Sequence, residues 1–334
     1  MHNDRLAVDR VGRPWRAARY ALGALCAIAA LYASAVNVDW SEVLDAFEQA
    51  SLPWTAAAIA SVLLTLCLVT FRWGLLVGGD AFASPASTPH RARWHVLWDS
   101  VVLGQAVNIL VPLRFGEGAR LVVTSRGLGV PVGRVMVGLA LERAFDVAAF
   151  ATIVAMLIIS GLMPQAFRGL LPAAATVTLV TIVGALVFVR LLPAFLAWLR
   201  RVRVLAPMAA WIATQESAMR DGWVDITGRH QLAMTALLTA ILPITAAATN
   251  LLVLHSFGLP VPAIAAMVLL VVLQIGTAVV SVPGNVGVFH YLTVVTLAAW
   301  DMPRPSALAV AVVLHLVSLG PKVVLGAFSA RSRF

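Results

Sequence analysis

The chain has 334 residues, of which 61% are hydrophobic and only 12% charged, with a mean hydropathy of +0.92. That balance excludes an ordinary soluble domain, where about a quarter of residues are charged, and describes an integral membrane protein. The net charge of +9 comes from basic residues lying mainly between the apolar runs, so it reads as a solvated cytoplasmic face and not as a nucleic-acid surface.

Apolar stretches long enough to cross a hydrocarbon core fall near 17–36, 54–77, 135–160, 170–192, 231–256 and 305–328; a crossing takes about 20 helical residues. The tail before the first carries Arg5, Arg10, Arg13, Arg16 and Arg19, while Asp39, Glu42, Asp45 and Glu48 follow it without a basic residue, which places the N-terminus in the cytoplasm. Ala33-Ser34-Ala35 imitates a signal-peptide cleavage site, but the first span is expected to be retained as the partner of the fourth. Arg72, Arg91 and Arg93 put the next connection inside, with Arg72-Trp73 read as an interfacial anchor pair. The apolar stretch 96–111 ends at Pro112, and Arg114, Arg120, Arg126 and Arg134 put its far side inside as well. Residues 96–134 are therefore expected to enter the membrane and return. The third span runs outward, the fourth returns to the basic segment 190–229, and the fifth ends at the uncharged Gly258–Pro262. Arg331 and Arg333 put the C-terminus inside, so 263–304 is expected to enter from outside and return there. Cys26 and Cys67 fall within spans, where no disulfide is expected.

The two returning segments share a motif, Pro112-x3-Gly116 and Pro283-x3-Gly287, followed at similar spacing by Pro131 or Pro303 and then by Arg143 or His315. Paired broken segments in corresponding halves are the sequence pointer to a transporter's binding site. The fold expected is an all-α polytopic membrane protein built as an inverted repeat, with six full transmembrane helices and two re-entrant helical hairpins, or six to eight spans by hydropathy alone. One membrane domain covers 1–334, with 1–16 as a cytoplasmic tail, 17–160 and 170–328 as the two repeats, and 39–52 and 200–222 as interfacial pieces.

Charge within these segments is costly, about 2.5–3.5 kcal/mol for Arg or Asp at a helix centre. The first hairpin carries Asp99, Gln105 and Asn108, then Arg114, Glu117 and Arg120 at three-residue spacing, so Glu117 can pair with either arginine. The next span brings Glu142, Arg143 and Asp146. Two readings stay open: the clusters neutralise one another across a helix interface, or Arg114, Arg120 and Arg143 face a cavity where a guanidinium fork binds an anionic headgroup. In the second hairpin, Pro283-Gly284-Asn285-Val286-Gly287 turns and restarts a helix whose free N–H groups suit an anion; Gly284 and Gly287 serve equally as turn and close-packing residues. His315 reads as a packing histidine. Lys322, the only lysine, is expected to snorkel to the cytoplasmic surface, and Asn250 and Gln274 to make interhelical hydrogen bonds. Metal-ligand spacings, phosphate-binding loops, dinucleotide fingerprints and nucleophile elbows do not occur, so no catalytic residue, metal or cofactor is expected.

Pro112-Leu113-Arg114-Phe115-Gly116-Glu117-Gly118-Ala119-Arg120, then Leu141-Glu142-Arg143-Ala144-Phe145-Asp146 and Pro283-Gly284-Asn285-Val286-Gly287, resemble the membrane domain of the lysylphosphatidylglycerol synthase and flippase-like family. The resemblance covers most of the chain, although the family often has an acid or Arg where this sequence has His290 and His315. In larger members an aminoacyl-transferase domain follows and makes the lipid that the membrane part moves; with Phe334 shortly after the last span, a stand-alone membrane domain is expected here. The resemblance implies a flippase-like transporter of a polar or anionic-headgroup lipid, either a phospholipid or a polyprenyl-linked glycolipid, in a bacterial inner membrane. The expected cavity lining is Asn108, Pro112, Arg114, Gly116, Glu117, Arg120, Glu142, Arg143, Asp146, Pro283, Gly284, Asn285, Gly287 and His315. The alternatives are an enzyme on a lipid-linked substrate with Glu117 or Glu142 as general base, and a non-transporting partner of envelope lipid or glycan synthesis proteins.

Overall fold

The computed structural model describes residues 25–36, 38–78, 90–111, 115–162, 214–226, 228–259, 261–279 and 282–333, with isolated positions between 164 and 179. Among these residues the regular structure is all helical: α1 Leu25–Ala35, α2 Trp40–Glu48, α3 Leu52–Gly78, α4 His90–Leu110, α5 Gly116–Leu128, α6 Val132–Ile159, α7 Glu216–Ile226, α8 Arg229–Ser256, α9 Ala263–Val279, a 3-10 turn Pro283–Asn285, α10 Val288–Ala298 and α11 Arg304–Arg333.

Local chemistry sets the boundaries. Asp39 caps α2 by accepting from the Ser41 backbone N–H at 2.9 Å. Gly129 ends α5 in the left-handed region at φ 65°, a conformation open to glycine, and Pro131 then leads directly into α6. Between α9 and α10 the chain passes through three positive φ values, 64° at Gly284, 53° at Asn285 and 82° at Gly287. Gly287 also lies so close to the backbone of Ala27 and Leu31 on α1 that a Cβ there would overlap it. Its close-packing role is therefore met by a specific neighbour.

By length and composition α3, α8 and α11 can cross a membrane. The 28-residue α6 is as long but carries Arg134, Glu142, Arg143 and Asp146. Of the other expected spans, 170–192 lies outside the described residues and 17–36 is described from residue 25. At about 1.5 Å rise per residue, neither the 13-residue α5 nor the 11-residue α10 reaches across a core of roughly 30 Å.

α3 and α8 form the central crossing, and they run antiparallel, because Ser61 and Thr65 meet Thr245 and Thr249 while Arg72, further along α3, meets Thr239, earlier on α8. A hydroxyl ladder lines the contact. Ser61 Oγ donates to the Thr245 carbonyl at 3.0 Å, Thr249 donates to Ser61 Oγ at 3.0 Å, and Thr65 donates to Thr245 Oγ1 at 2.9 Å. Thr65 and Thr249 lie equally within reach of carbonyls on their own helices, those of Ser61 and Thr245.

Around this axis the packing is paired. α3 packs on α4 and α8 on α9; α4 on α5 and α9 on α10; α5 on α6 and α10 on α11; α2 on α11 and α7 on α6; α4 on α11 and α9 on α6. The contacts of α3 with α6 and α11 are likewise matched by those of α8 with α11 and α6, while α3 against α7 stands outside the pattern.

The α4/α5 hairpin is drawn together along small residues. A Cβ on Gly116 would overlap the Gly104 carbonyl, one on Gly104 the Arg120 side chain, and one on Gly127 the Val96 side chain. Small residues let helix backbones approach in this way. The turn Pro283–Asn285 packs against α4, so the second hairpin's tip lies beside the first hairpin.

Candidate functional site

Three helices bring six charged side chains into one network. Glu142 on α6 is at its centre, accepting from Arg72 Nη2 at 3.0 Å and from Arg120 Nη2 and Nη1 at 2.8 and 3.3 Å. Arg72, from α3, also donates to Asp146 Oδ1 at 2.6 Å and to Thr239 Oγ1 at 2.9 Å. Arg120, from α5, lies 3.6 Å from Glu117. Arg143 on α6 closes the ring, contacting Glu117 and reaching Asp146 Oδ2 at 3.5 Å. Three guanidiniums thus face three carboxylates, and the network is neutral when all are ionised.

Burial divides this network in two. The Arg72, Arg120 and Glu142 side chains are 2%, 6% and 4% exposed, whereas Arg143 is 47% exposed, with Glu117 at 26% and Asp146 at 33%. The inner trio is a fixed structural knot; the outer three form its accessible edge. Glu142 and Asp146 lie 10 and 14 residues from the start of α6, about 15 and 21 Å along a helix of about 42 Å. The charges therefore sit at mid-helix, where ionisable groups need partners.

Aromatic and polar groups lock the inner trio. The Arg120 guanidinium lies 4.2 Å from the centre of the fully buried Trp73 ring, a cation–π contact, and the indole Nε1 donates to Thr124 on α5 at 3.1 Å. Arg72 Nε and Arg120 Nε are buried without a hydrogen-bond partner, so each inner guanidinium holds one donor in reserve.

The sequence expectations fare differently. Arg120, Glu117, Glu142, Arg143 and Asp146 are brought together, across the α5/α6 interface and along α6. Pro112 and Arg114 lie outside the described residues. Asn108 works as a clasp, its Oδ1 accepting from the Gly116 N–H at 2.8 Å and tying the end of α4 to the start of α5. Arg72-Trp73 is not an interfacial anchor: both side chains point inward and are buried. What corrects the reading is the partner set, since α5, α6 and α8 supply acceptors and a cation that an outward-facing pair would not meet. Asn250 does bridge helices, its Nδ2 donating to the Ala266 carbonyl at 3.0 Å, whereas Gln274 is exposed and has no hydrogen-bond partner among the described residues. Lys322 lies 11 residues before the end of α11, because that helix continues to Arg333. Its side chain is partly exposed.

The second hairpin places Pro283, Gly284, Asn285 and Gly287 at its turn and carries no charge there. At the α10/α11 contact stand Phe289, His290 and His315.

Residues 18–326 match the model of a family described as the lysylphosphatidylglycerol synthase TM region. Among curated proteins, none matches the chain.

Proposed function

Since the chain belongs to the lysylphosphatidylglycerol synthase TM region family, whose membrane proteins are linked to lipid handling, we propose that it moves a lipid with a polar or anionic headgroup across a bacterial inner membrane. The observation that carries this reading is the half-exposed edge of a buried, balanced charge network at mid-helix. Arg143 presents a guanidinium there that is held by two carboxylates, Glu117 and Asp146, which are themselves partly exposed. A headgroup phosphate approaching this edge exchanges with them for the bidentate fork, and the exchange lowers the cost of bringing its charge to this depth. The acyl chains stay in lipid.

The architecture favours alternating access. In the proposed inverted repeat, α2, α3, α4, α5 and α6 correspond to α7, α8, α9, α10 and α11. The matched packing pairs support this assignment, and so does the antiparallel run of α3 against α8, which makes these two equivalents opposite in direction. The short α5 and α10 support re-entrant hairpins entering from opposite sides. The charge distribution supports cytoplasmic termini. One half rocking against the other would then expose the Arg143 edge alternately.

Purified protein in liposomes made from bacterial lipid extract, with labelled headgroups, tests the proposal by comparing wild type with Arg143→Ala and Glu117→Gln. Movement in the wild type that is lost in both folded variants supports it. Undiminished movement in both refutes the site, and chemically altered lipid replaces transport with catalysis.

A further inference from the structure

We infer that His290 and His315 form a one-proton site on the second hairpin, and that the proton it binds is the coupling ion of the transport proposed above. The pair is built for this. The ring centroids stand 4.8 Å apart, and Phe289 lies 4.9 Å from His315, offering its face to a cationic imidazole. His290 is 9% exposed, and its Nδ1 is buried without any hydrogen-bond partner. A buried imidazole nitrogen of this kind is an open acceptor, and it is the atom at which His290 takes up the proton. Two imidazoles this close take one proton between them and repel a second, so they titrate as a unit.

The surroundings leave the proton little else to answer to. α9 has no ionisable side chain, the turn Pro283–Asn285 has none, and α10 adds only the exposed Tyr291. α1, touched by Gly287, brings Cys26 and Tyr32. The Ser100–Leu110 stretch of α4 is without charge, its His90, Arg91, Arg93, His95 and Asp99 lying earlier in the helix. α11 carries Lys322 seven residues after His315, about 10 Å along the axis, and Arg304, Arg331 and Arg333 near its ends. Of the other helices packed on α11, α2 brings Glu42, Asp45 and Glu48, α8 brings Arg229, His230 and His255, and α3 brings Arg72, which is committed to Glu142 and Asp146.

Coupling follows from position. His290 is three residues beyond Gly287, His315 packs on His290 across the α10/α11 contact, and the turn Pro283–Asn285 packs on α4 of the charged half. A change of charge on the pair alters the contact between α10, α11 and the turn, and so the seat of the second hairpin against the first.

The full chain with 15N-labelled histidine, in nanodiscs, is titrated by NMR as wild type, His290→Gln and His315→Gln, with His255→Gln assigning an exposed control. The expected result is a coupled two-step titration of His290 and His315 that becomes a single independent step for whichever remains. Independent titration of the two in the wild type overturns the site. In liposomes under an imposed pH gradient, one proton per lipid gives a labelled-lipid asymmetry of up to about tenfold per pH unit. The wild type should show it, and His290→Gln and His315→Gln should move lipid to no asymmetry. A wild type that moves lipid without responding to the gradient overturns the coupling. One that moves no lipid under any gradient refutes the transport reading, and the coupling with it, while the titration decides the proton site separately.

Discussion

Neutralising Glu142 takes a shared carboxylate from two cations and strands one of them. Glutamine in its place leaves Arg72 with Asp146 and Thr239, but leaves Arg120, whose side chain is 6% exposed, with only Glu117 at 3.6 Å. Removing one partner of a buried ion pair costs about 3–5 kcal/mol, so Glu142→Gln should destabilise the fold by at least about 3 kcal/mol. Arg143→Gln supplies the contrast. It removes a side chain that is 47% exposed, and exposed pairs contribute about 1 kcal/mol or less. The assay is reversible unfolding of the full chain in mixed detergent micelles, where a gap of about 2 kcal/mol is roughly a thirtyfold change in equilibrium. Arg120→Met added to Glu142→Gln should recover part of the loss by removing the stranded charge. The reasoning fails if Glu142→Gln and Arg143→Gln unfold within about 0.5 kcal/mol of one another.

Gly116→Ala should cost about 1–3 kcal/mol by forcing α5 away from the Gly104 carbonyl, while Gly118→Ala, whose Cβ would meet nothing within 4 Å, should be neutral or stabilising in the same unfolding assay. Trp73→Phe removes the bond to Thr124 and weakens the contact with Arg120, an expected loss of about 1–2 kcal/mol; Trp73→Leu should lose more, and equal losses would remove the aromatic contribution. Asp39 is held below the ordinary carboxylate range by the hydroxyl and backbone N–H of Ser41. Because the folded value is the lower one, its contribution to α2 is complete above an ordinary Asp pKa of about 3.9 and is lost as pH falls through the folded value. Trp40 fluorescence should report this acid fraying, and Asp39→Ala should abolish the step.

Much of the charged site was legible because its cost is local. Glu117, Arg120, Glu142, Arg143 and Asp146 interrupt apolar helices at three- and four-residue spacings, and an interruption of that kind demands partners wherever the helix points. Arg72 was not legible. It lies six residues before the end of α3 and beside a tryptophan, and that pattern is the same for an anchor facing lipid as for a side chain facing inward. Only the packing of α3 against α5, α6 and α8 distinguishes them. Asn108 was singled out as a cavity residue, but its clasp was not legible for a similar reason, since its partner is eight residues away across a turn and no helix periodicity links the two. The break between α9 and α10 was readable from proline and glycine, residues whose backbone limits act without tertiary help. His290 and His315 gave little sign, because nothing in a chain of apolar neighbours tells whether two histidines 25 residues apart will meet.

The hydroxyls between α3 and α8 have a mechanical meaning. Thr65 donates within reach of Ser61 on its own helix and of Thr245 across the crossing, and Thr249 likewise has Thr245 behind it and Ser61 opposite. A small rotation of one helix on the other swaps acceptors without abandoning a donor in lipid, so friction at this end is low. At the far end of the same crossing, Arg72 is gripped by a carboxylate pair and a threonine, and no swap is open to it. The crossing thus has interchangeable acceptors along its hydroxyls and fixed partners at Arg72, and the rocking proposed above would meet least resistance where the hydroxyls are.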